Sequence, residues 1–271
     1  MNTIRFSLLL PALVLLALFS SCRKDDAFDF SQESVMTFGE AISEESQNMA
    51  DEAVQNGSVS FKNGDEGSVL SCATITRDTL SFPRICTIDF GTGCTGSDGR
   101  TRSGKIIVIY TGAYKAPGTI IDITHDQYVV DGKQILSERH IENMGYNTDN
   151  KLYWNVLVNG HVINAQGQST VWTAERTRVM EQGESTSSWI DDVYAVTGTA
   201  SGTLANGRTF TAQSLSPLVR VMAPFCRRHF VQGQLEISVS GRPVRVIDFG
   251  NGDCDNVATV TVNGTTYTIQ F

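Results

Sequence analysis

The chain has 271 residues, with 21 Lys and Arg against 29 Asp and Glu, so its formal net charge at pH 7 is −8. An acidic chain without a basic stripe excludes a nucleic-acid partner held through its phosphates. Hydrophobic residues make up 41% of the sequence, and a chain of this length can bury a substantial core. We therefore expect a folded protein.

The first 21 residues have the three zones of an export signal. Arg5 supplies positive charge, residues 6–19 are apolar apart from one serine, and two serines precede Cys22. The apolar run is too short to span a bilayer by itself. We therefore predict that residues 1–21 are a removable signal peptide, whose loss removes Arg5 and no acidic residue and changes the formal net charge from −8 to −9.

The segment Phe19-Ser20-Ser21-Cys22 resembles the lipobox of bacterial lipoproteins. This resemblance implies that Cys22 carries the lipid and that residues 22–30 form a lipidated tether. Arg23-Lys24-Asp25-Asp26 is similar to the surface-export signal of Bacteroidota lipoproteins, although a solvated charged spacer is an alternative interpretation. Together the motifs imply a membrane partner, reached through Cys22, and a surface-exposed position on the outer membrane.

The segment 31–56 is predicted to form one amphipathic helix. Its apolar residues recur at intervals of three, four or seven, as on one face of a helix. They are Val35, Phe38, Ile42, Met49 and Ala53. The polar positions are acidic rather than basic, which favours packing on a β domain over a membrane surface. Residues 57–70, rich in glycine and polar residues, are predicted to be a linker.

From residue 71 to residue 271 the period changes to two, which predicts half-buried strands. Examples are Leu235/Ile237/Val239, Val260/Val262 and Tyr267/Ile269/Phe271. The run from Ile106 to Tyr110 is apolar without alternation, which predicts a central strand covered on both faces.

Four Asn-Gly or Asp-Gly pairs are expected to form tight hairpin turns, because these residues tolerate positive φ. The pairs are Asp131-Gly132, Asn159-Gly160, Asn206-Gly207 and Asn263-Gly264. Consecutive strands should therefore pair antiparallel.

A short motif occurs twice. Thr87-Ile88-Asp89-Phe90-Gly91 and Val246-Ile247-Asp248-Phe249-Gly250 are each followed closely by a cysteine, Cys94 or Cys254. The repeat predicts two similar β units, at about 71–112 and about 225–271. The expected fold class is mainly β, an antiparallel meander or sandwich-like arrangement with one N-terminal helix.

Five cysteines remain when Cys22 is set aside as lipidated: Cys72, Cys86, Cys94, Cys226 and Cys254. An exported protein meets oxidising conditions, so pairing is expected. The repeat favours Cys72 with Cys94 and Cys226 with Cys254. Cys86 is then the odd thiol, since Arg245 occupies its place in the second unit, although Cys86 with Cys94 is also allowed.

The turn Asn251–Asn256 contains Asp253 and Asp255 and could supply oxygen ligands to calcium, with Asp98 as a weaker candidate. The turn lacks the terminal glutamate of an EF-hand loop, and its residue types are ordinary turn formers. Zinc is not expected because no two cysteines have ligand spacing. We expect neither a metal nor a cofactor.

Candidate catalytic groups are sparse. The four histidines, His125, His140, His161 and His229, are scattered over segments with strand patterns, and no nucleophile elbow is present. Asp191, Asp192 and Glu175 follow tryptophans, as in a carbohydrate cleft, but adjacent aspartates on a strand point to opposite faces.

Six aromatic residues could form an exposed ligand platform, although such rings in β proteins are more often core or cross-strand partners. They are Trp154, Trp172, Trp189, Tyr128, Tyr146 and Tyr153. In addition, Asp78-Thr79-Leu80 resembles the acceptor of O-linked glycans in Bacteroidota, which implies that Thr79 lies on an exposed loop and carries a glycan.

The lipobox, the two Ile-Asp-Phe-Gly motifs, and the segments Gly104–Val108 and Cys254–Gly264 resemble a family of Bacteroidota surface lipoproteins. The resemblance covers most of the mature chain and implies location and fold but no activity. We expect a lipid-anchored binding or structural module without catalytic activity, with a glycan or a protein as its ligand. The alternative is a secreted-type hydrolase acting on polysaccharide or peptide.

Overall fold

The computed structural model describes residues 31–55, 69–78, 80–186, 188–223, 226–227 and 229–270. The predicted signal peptide, the tether with Cys22, most of the linker, and Thr79 lie outside the described residues. Of the predicted linker, Val69 and Leu70 are described, and both are buried against the rest of the protein.

One helix and sixteen strands make up the regular structure. The helix α1 spans Ser31–Gln55. The strands are β1 (Thr74–Asp78), β2 (Arg84–Asp89), β3 (Cys94–Thr95), β4 (Thr101–Tyr110), β5 (Ile120–Val130), β6 (Lys133–Ile135), β7 (Glu138–Tyr146), β8 (Leu152–Ile163), β9 (Ser169–Gln182), β10 (Val193–Thr203), β11 (Thr209–Ser214), β12 (Leu218–Val221), β13 (Gln232–Val239), β14 (Arg245–Asn251), β15 (Val257–Val262) and β16 (Thr265–Gln270). In the part of the chain that is described, no helix combines the length and the hydrophobicity needed to cross a bilayer.

All sixteen strands join one antiparallel sheet, which confirms the predicted fold class. The main path runs β1-β2-β4-β5-β6-β8-β9-β10-β11-β13-β14-β15-β16. β3 pairs with β4, β7 bridges β5 and β8, and β12 bridges β10 and β13. Neighbours in the sheet are mostly neighbours in sequence, as in a meander.

The sheet curves around α1. Between Ile42 and Ala53 every side chain of the helix is buried except Glu45, which is half-buried. This burial includes polar positions such as Gln47 and Asp51, at 0% and 5% exposure. The helix packs on the β domain, as predicted, and its acidic positions are buried as well because the strands supply arginines to them.

The two predicted β units have matching local structure. Asp89 accepts a hydrogen bond from the Gly91 amide at 2.7 Å, and Asp248 accepts the equivalent bond from Gly250 at 2.9 Å. In each unit the isoleucine and phenylalanine of the motif point inward and are buried. Cys86 and its counterpart Arg245 are also buried, at 0% and 2% exposure.

Both predicted disulfides are present. Cys72–Cys94 and Cys226–Cys254 join residues 22 and 28 positions apart, with Cα–Cα distances of 5.9 Å and 5.0 Å. Cys86 is a free, buried thiol. The alternative pairing of Cys86 with Cys94 is therefore wrong, because Cys94 is bonded to Cys72. Burial raises the pKa of the Cys86 thiol to about 11, so this group is an inert core residue.

Three of the four predicted turns are confirmed, and one is wrong. Asp131-Gly132, Asn206-Gly207 and Asn263-Gly264 connect β5 to β6, β10 to β11 and β15 to β16. Asn159-Gly160 lies inside β8 instead. The ring of Trp172 covers Gly160 so closely that a Cβ there would lie 1.9 Å from the ring atom Cε2. Gly160 is thus a packing glycine rather than a turn glycine.

Two strand predictions hold only in part. β4 is central, between β2 and β5, but Ile107 and Ile109 on its outer face are only half-buried. β16 pairs with β15 alone and is almost entirely exposed, with Tyr267 at 41% exposure. Its alternation was expected to reflect burial, but the strand forms an edge of the sheet, beyond the part that α1 covers.

Candidate functional site

An interior cavity of about 530 Å³ lies between α1 and the strands β10 to β14. Its sheet side is mainly apolar and includes Val196, Phe210, Leu218, Leu235, Ile247 and Phe249. Its helix side carries Met49 and the carboxyl groups of Glu44, Glu45 and Glu52. The volume lies within the range of small-molecule sites, roughly 300 to 1,000 Å³.

Small residues on adjacent strands create this space. Ala200 of β10 lies opposite Ala212 of β11, and Gly198 lies opposite Arg176 of β9. On the other side of β9, the strand β8 fills the interior with the large Trp154. The sheet therefore packs tightly on the helix at β8 and leaves a void from β10 onward.

The cavity extends to the surface between the two repeated units. Arg100, whose side chain is 37% exposed, follows the Cys94 strand of the first unit, and the exposed Asn256 follows Cys254 of the second. Val69, three residues before Cys72, and Arg227, next to Cys226, also line the cavity. Each disulfide thus links two chain segments that contribute residues to the cavity wall.

Glu44 is surrounded by arginines. Its Oε1 accepts a hydrogen bond from Arg139 Nη2 at 2.5 Å and lies 3.6 Å from Arg176 Nη1. Burial alone would raise the pKa of the Glu44 carboxyl, but Arg139, Arg220, Arg176 and Arg178 outweigh it and hold the pKa well below its usual range. Glu44 is therefore a permanent anion at neutral pH.

A second charge network lies at the rim of the cavity. Arg102, fully buried, forms a 2.6 Å ion pair with Asp98 and a further one with Glu45. Arg100 also contacts Glu45, at 2.9 Å. Asp98 therefore serves as a partner of Arg102.

The other calcium candidates face solvent. Asp253 and Asp255 are exposed, and Asp255 Oδ1 accepts a hydrogen bond from the Val257 amide at 3.0 Å, as in an ordinary turn. Within the described ranges, no group of three or more His, Cys, Asp or Glu side chains could hold a metal ion.

Arg220 lines the cavity from β12 and is only 3% exposed. Its Nη1 donates to the backbone carbonyl of Arg227 at 2.8 Å, and its guanidinium lies 4.4 Å from the centre of the Phe230 ring. Its Nε has no hydrogen-bond partner, and no carboxylate lies within 4.0 Å, among the residues that the structure describes. Burial lowers the pKa of Arg220 to about 10, with repulsion from nearby arginines adding to the effect and Glu44 opposing it, so the side chain stays cationic at neutral pH.

A further buried cluster lies deeper along the helix. Asp51 Oδ2 is 3.6 Å from Arg178 Nη1, and the Arg178 guanidinium lies 3.6 Å from the centre of the Tyr194 ring. Burial raises the pKa of Asp51 to about 7, since Arg178 opposes the desolvation only in part. Asp192 of the same region pairs with Lys115 at 3.1 Å.

The residues considered as catalytic groups are not brought together. His125 donates from Nδ1 to the Ser137 carbonyl at 2.6 Å and lies 3.0 Å from Ser46 Oγ, and burial lowers its pKa to about 4. His140 contacts Asp122 and His161 contacts Ser169, both near the surface. Only His229 lines the cavity. Asp192 is buried, whereas Asp191 and Glu175 are exposed.

Four of the six aromatic residues considered for an exposed platform belong to the core instead, and Tyr153 is half-buried. Trp154, Trp172, Trp189 and Tyr128 are at most 9% exposed, whereas Tyr146 is 52% exposed. The ring of Trp154 stacks on Tyr114, with centroids 4.9 Å apart. Thr79 lies outside the described residues, but its neighbours Asp78 and Leu80 are exposed, Leu80 at 98%.

Sequence reasoning missed the arginines of this site. Arg139 stands two residues from Ile141, and Arg220 two residues from Leu218, so their strand positions match those of buried apolar residues. Their position on the inward-facing side of each strand could have predicted their burial. Arginine in a strand is, however, ordinarily assigned to the solvent face.

Fold and site together define a mainly β protein whose curved antiparallel sheet encloses a helix and a ligand-sized cavity. Comparison with known proteins finds no matching family model, no similar curated protein and no similar solved structure.

Proposed function

We propose that this chain is a lipid-anchored envelope protein that binds a small, partly apolar ligand in its interior cavity. The observation that carries the proposal is the cavity of about 530 Å³ between α1 and the apolar inner face of the sheet. Close packing is the rule in protein interiors, and large voids are few. A cavity of this size with convergent polar groups is the usual form of a binding site.

The charge state of the site favours binding over proton transfer. Glu44 stays ionised because arginines surround it, and a general acid or base needs a pKa near the working pH. Paired charges of this kind can instead fix the orientation of a polar ligand. The proposal differs from the expected surface module, because the ligand enters the interior and does not lie on an aromatic face.

The two disulfides support an extracytoplasmic location, since such bonds persist in oxidising compartments. The lipobox adds the anchor at Cys22. Mass analysis of the N-terminal peptide of the protein from native membranes should find a diacylglyceryl group on this cysteine. An unmodified Cys22, or residues 1–21 still attached, would contradict the anchor.

Binding in the cavity is tested by filling it. Ala212 lines the cavity, so the substitution Ala212→Phe should abolish most of the binding of 8-anilinonaphthalene-1-sulfonate, a fluorescent probe with an apolar body. Titration of the mature chain, produced without acylation, gives the affinity and the stoichiometry, which we expect to be one probe per chain. This form suits the assay because Ser31–Phe271 is a compact unit.

The matched control is Thr211→Phe on the same strand, because Thr211 is exposed on the opposite face. It adds the same ring without entering the cavity and should leave probe binding unchanged. Thermal unfolding of both variants shows whether they fold. Equal loss of binding in the two variants, or no loss in either, would rule out the cavity as the site.

A further inference from the structure

Arg220 marks a polar end of the cavity. It is 3% exposed and is held in place by the Arg227 carbonyl and the Phe230 ring. These contacts use one of its three nitrogens and one face of its guanidinium. The remaining donors suit an anion, because a guanidinium binds carboxylate or phosphate oxygens through parallel hydrogen bonds.

Arg220 has no carboxylate within 4.0 Å among the described residues. The cavity-lining glutamates pair with other arginines: Glu44 with Arg139 and Arg176, Glu45 with Arg100 and Arg102, and Glu52 with Arg227. The buried Nε of Arg220 donates to no described residue. Since an uncompensated buried charge is costly, an anionic group beside Arg220 would stabilise this arrangement.

The sheet side of the cavity is mainly apolar. Phe210, Leu235, Ile247 and Phe249 come from three neighbouring strands and face the void from the sheet side. They offer a surface for an alkyl chain or ring that is attached to the anionic group, and burial of such a chain is favourable by about 0.8 kcal/mol per CH₂.

We propose that the cavity binds an anionic amphiphile, with a carboxylate or phosphate monoester head at Arg220 and an apolar tail against Phe210, Leu235, Ile247 and Phe249. This inference rests on the proposed function and names the chemical class of its ligand. The head group sets the position of the ligand, and the tail supplies apolar burial.

Four single-chain compounds with nearly equal alkyl chains and different head groups test the inference. Decanoate, decyl phosphate, decanol and decyltrimethylammonium are titrated against the mature, non-acylated chain by calorimetry or by displacement of the fluorescent probe. Decanoate or decyl phosphate should bind roughly tenfold to hundredfold more tightly than decanol, as a charge-assisted hydrogen bond predicts. The cationic compound should bind most weakly. The order of the two anions distinguishes a carboxylate from a phosphate site.

Variants assign the selectivity to Arg220. Arg220→Met should lower the affinity for the preferred anion to that for decanol and leave decanol binding unchanged, whereas Arg220→Lys should keep part of the preference. Arg245→Met is the matched control, because Arg245 is also buried, at 2% exposure, but does not line the cavity. Circular dichroism and thermal unfolding check the fold of each variant.

The outcomes separate the two proposals. Equal affinity for decanoate, decyl phosphate and decanol would overturn the anionic head and leave a cavity for neutral ligands. Failure of all four compounds to bind would overturn the proposed function itself. If Arg220→Met does not fold, the comparison of head groups on the unaltered chain together with Arg220→Lys decides the matter.

Discussion

Buried arginines in this protein are satisfied by three different kinds of neighbour. Arg102 is paired with carboxylates, and Arg220 uses a backbone carbonyl and an aromatic ring. Arg178 forms no hydrogen bond from its guanidinium among the described residues, but it lies 3.6 Å from Asp51 Oδ2 and 3.6 Å from the centre of the Tyr194 ring. A cation over a ring face is attracted by the ring quadrupole, and the attraction grows when water is excluded. The aromatic core thus takes part in holding the interior charges.

Asp51 provides a pH-dependent term in the stability of the fold. Its pKa rises from 3.8 to about 7 on folding, because it is buried and Arg178 compensates only in part. Between these values the folded chain retains a proton that the unfolded chain releases. The stabilising contribution is therefore complete below about pH 4 and is lost as the pH rises through about 7.

The substitution Asp51→Asn should remove this loss. The decline in the free energy of unfolding between pH 4 and pH 8 should become smaller by roughly 2 to 4 kcal/mol. Urea unfolding of both proteins at a series of pH values measures the difference. Asp253→Asn, at an exposed turn, is the control and should follow the unaltered protein. Identical pH profiles for all three proteins would show that Asp51 ionises normally in the fold.

At the scale of elements, α1 is the centre of the core and not a covering layer. An amphipathic helix packed on a sheet buries one face, but here every side chain from Ile42 to Ala53 is buried except that of Glu45, which is half-buried. The carboxylates of the helix pair with arginines that lie on the inner face of strands far away in sequence, such as Glu44 with Arg139, 95 positions apart. A charged helix can occupy an interior only when such partners are supplied.

The sequence predicted the local features of these elements but not the tertiary contacts between them. Period-two patterns, Asn-Gly and Asp-Gly pairs, and the repeated Asp-Phe-Gly segments report interactions between near neighbours, and most of these predictions are correct. Asn159-Gly160 was misread because the reason for Gly160 is a ring on β9, which no local pattern contains. For the same reason the cavity was not foreseen, since it depends on small residues that become adjacent only in the sheet, such as Ala200 and Ala212.

At the scale of the whole molecule, the two repeated units lie near opposite edges of one sheet, in β2 to β4 and in β13 to β15. Each unit carries a disulfide, and the bridged segments of both units line the cavity. The meander connects the units through many strands, so no direct strand pairing joins them in the described part of the sheet. The disulfides therefore fix the two sides of the cavity independently of each other.

Removal of either bridge should weaken the fold and the site together. The closed loops of 22 and 28 residues predict a loss of about 3 kcal/mol in the free energy of unfolding for each pair changed to alanine. Because Arg227 and Asn256 adjoin Cys226 and Cys254 and line the cavity, the double substitution Cys226→Ala, Cys254→Ala should also reduce probe affinity. Urea unfolding and fluorescence titration measure the two effects. Cys86→Ala removes a buried thiol without a bridge and is the control for lost side-chain volume. Unchanged affinity in the double variant, once it is shown to be folded, would mean that the bridge stabilises the chain without shaping the cavity.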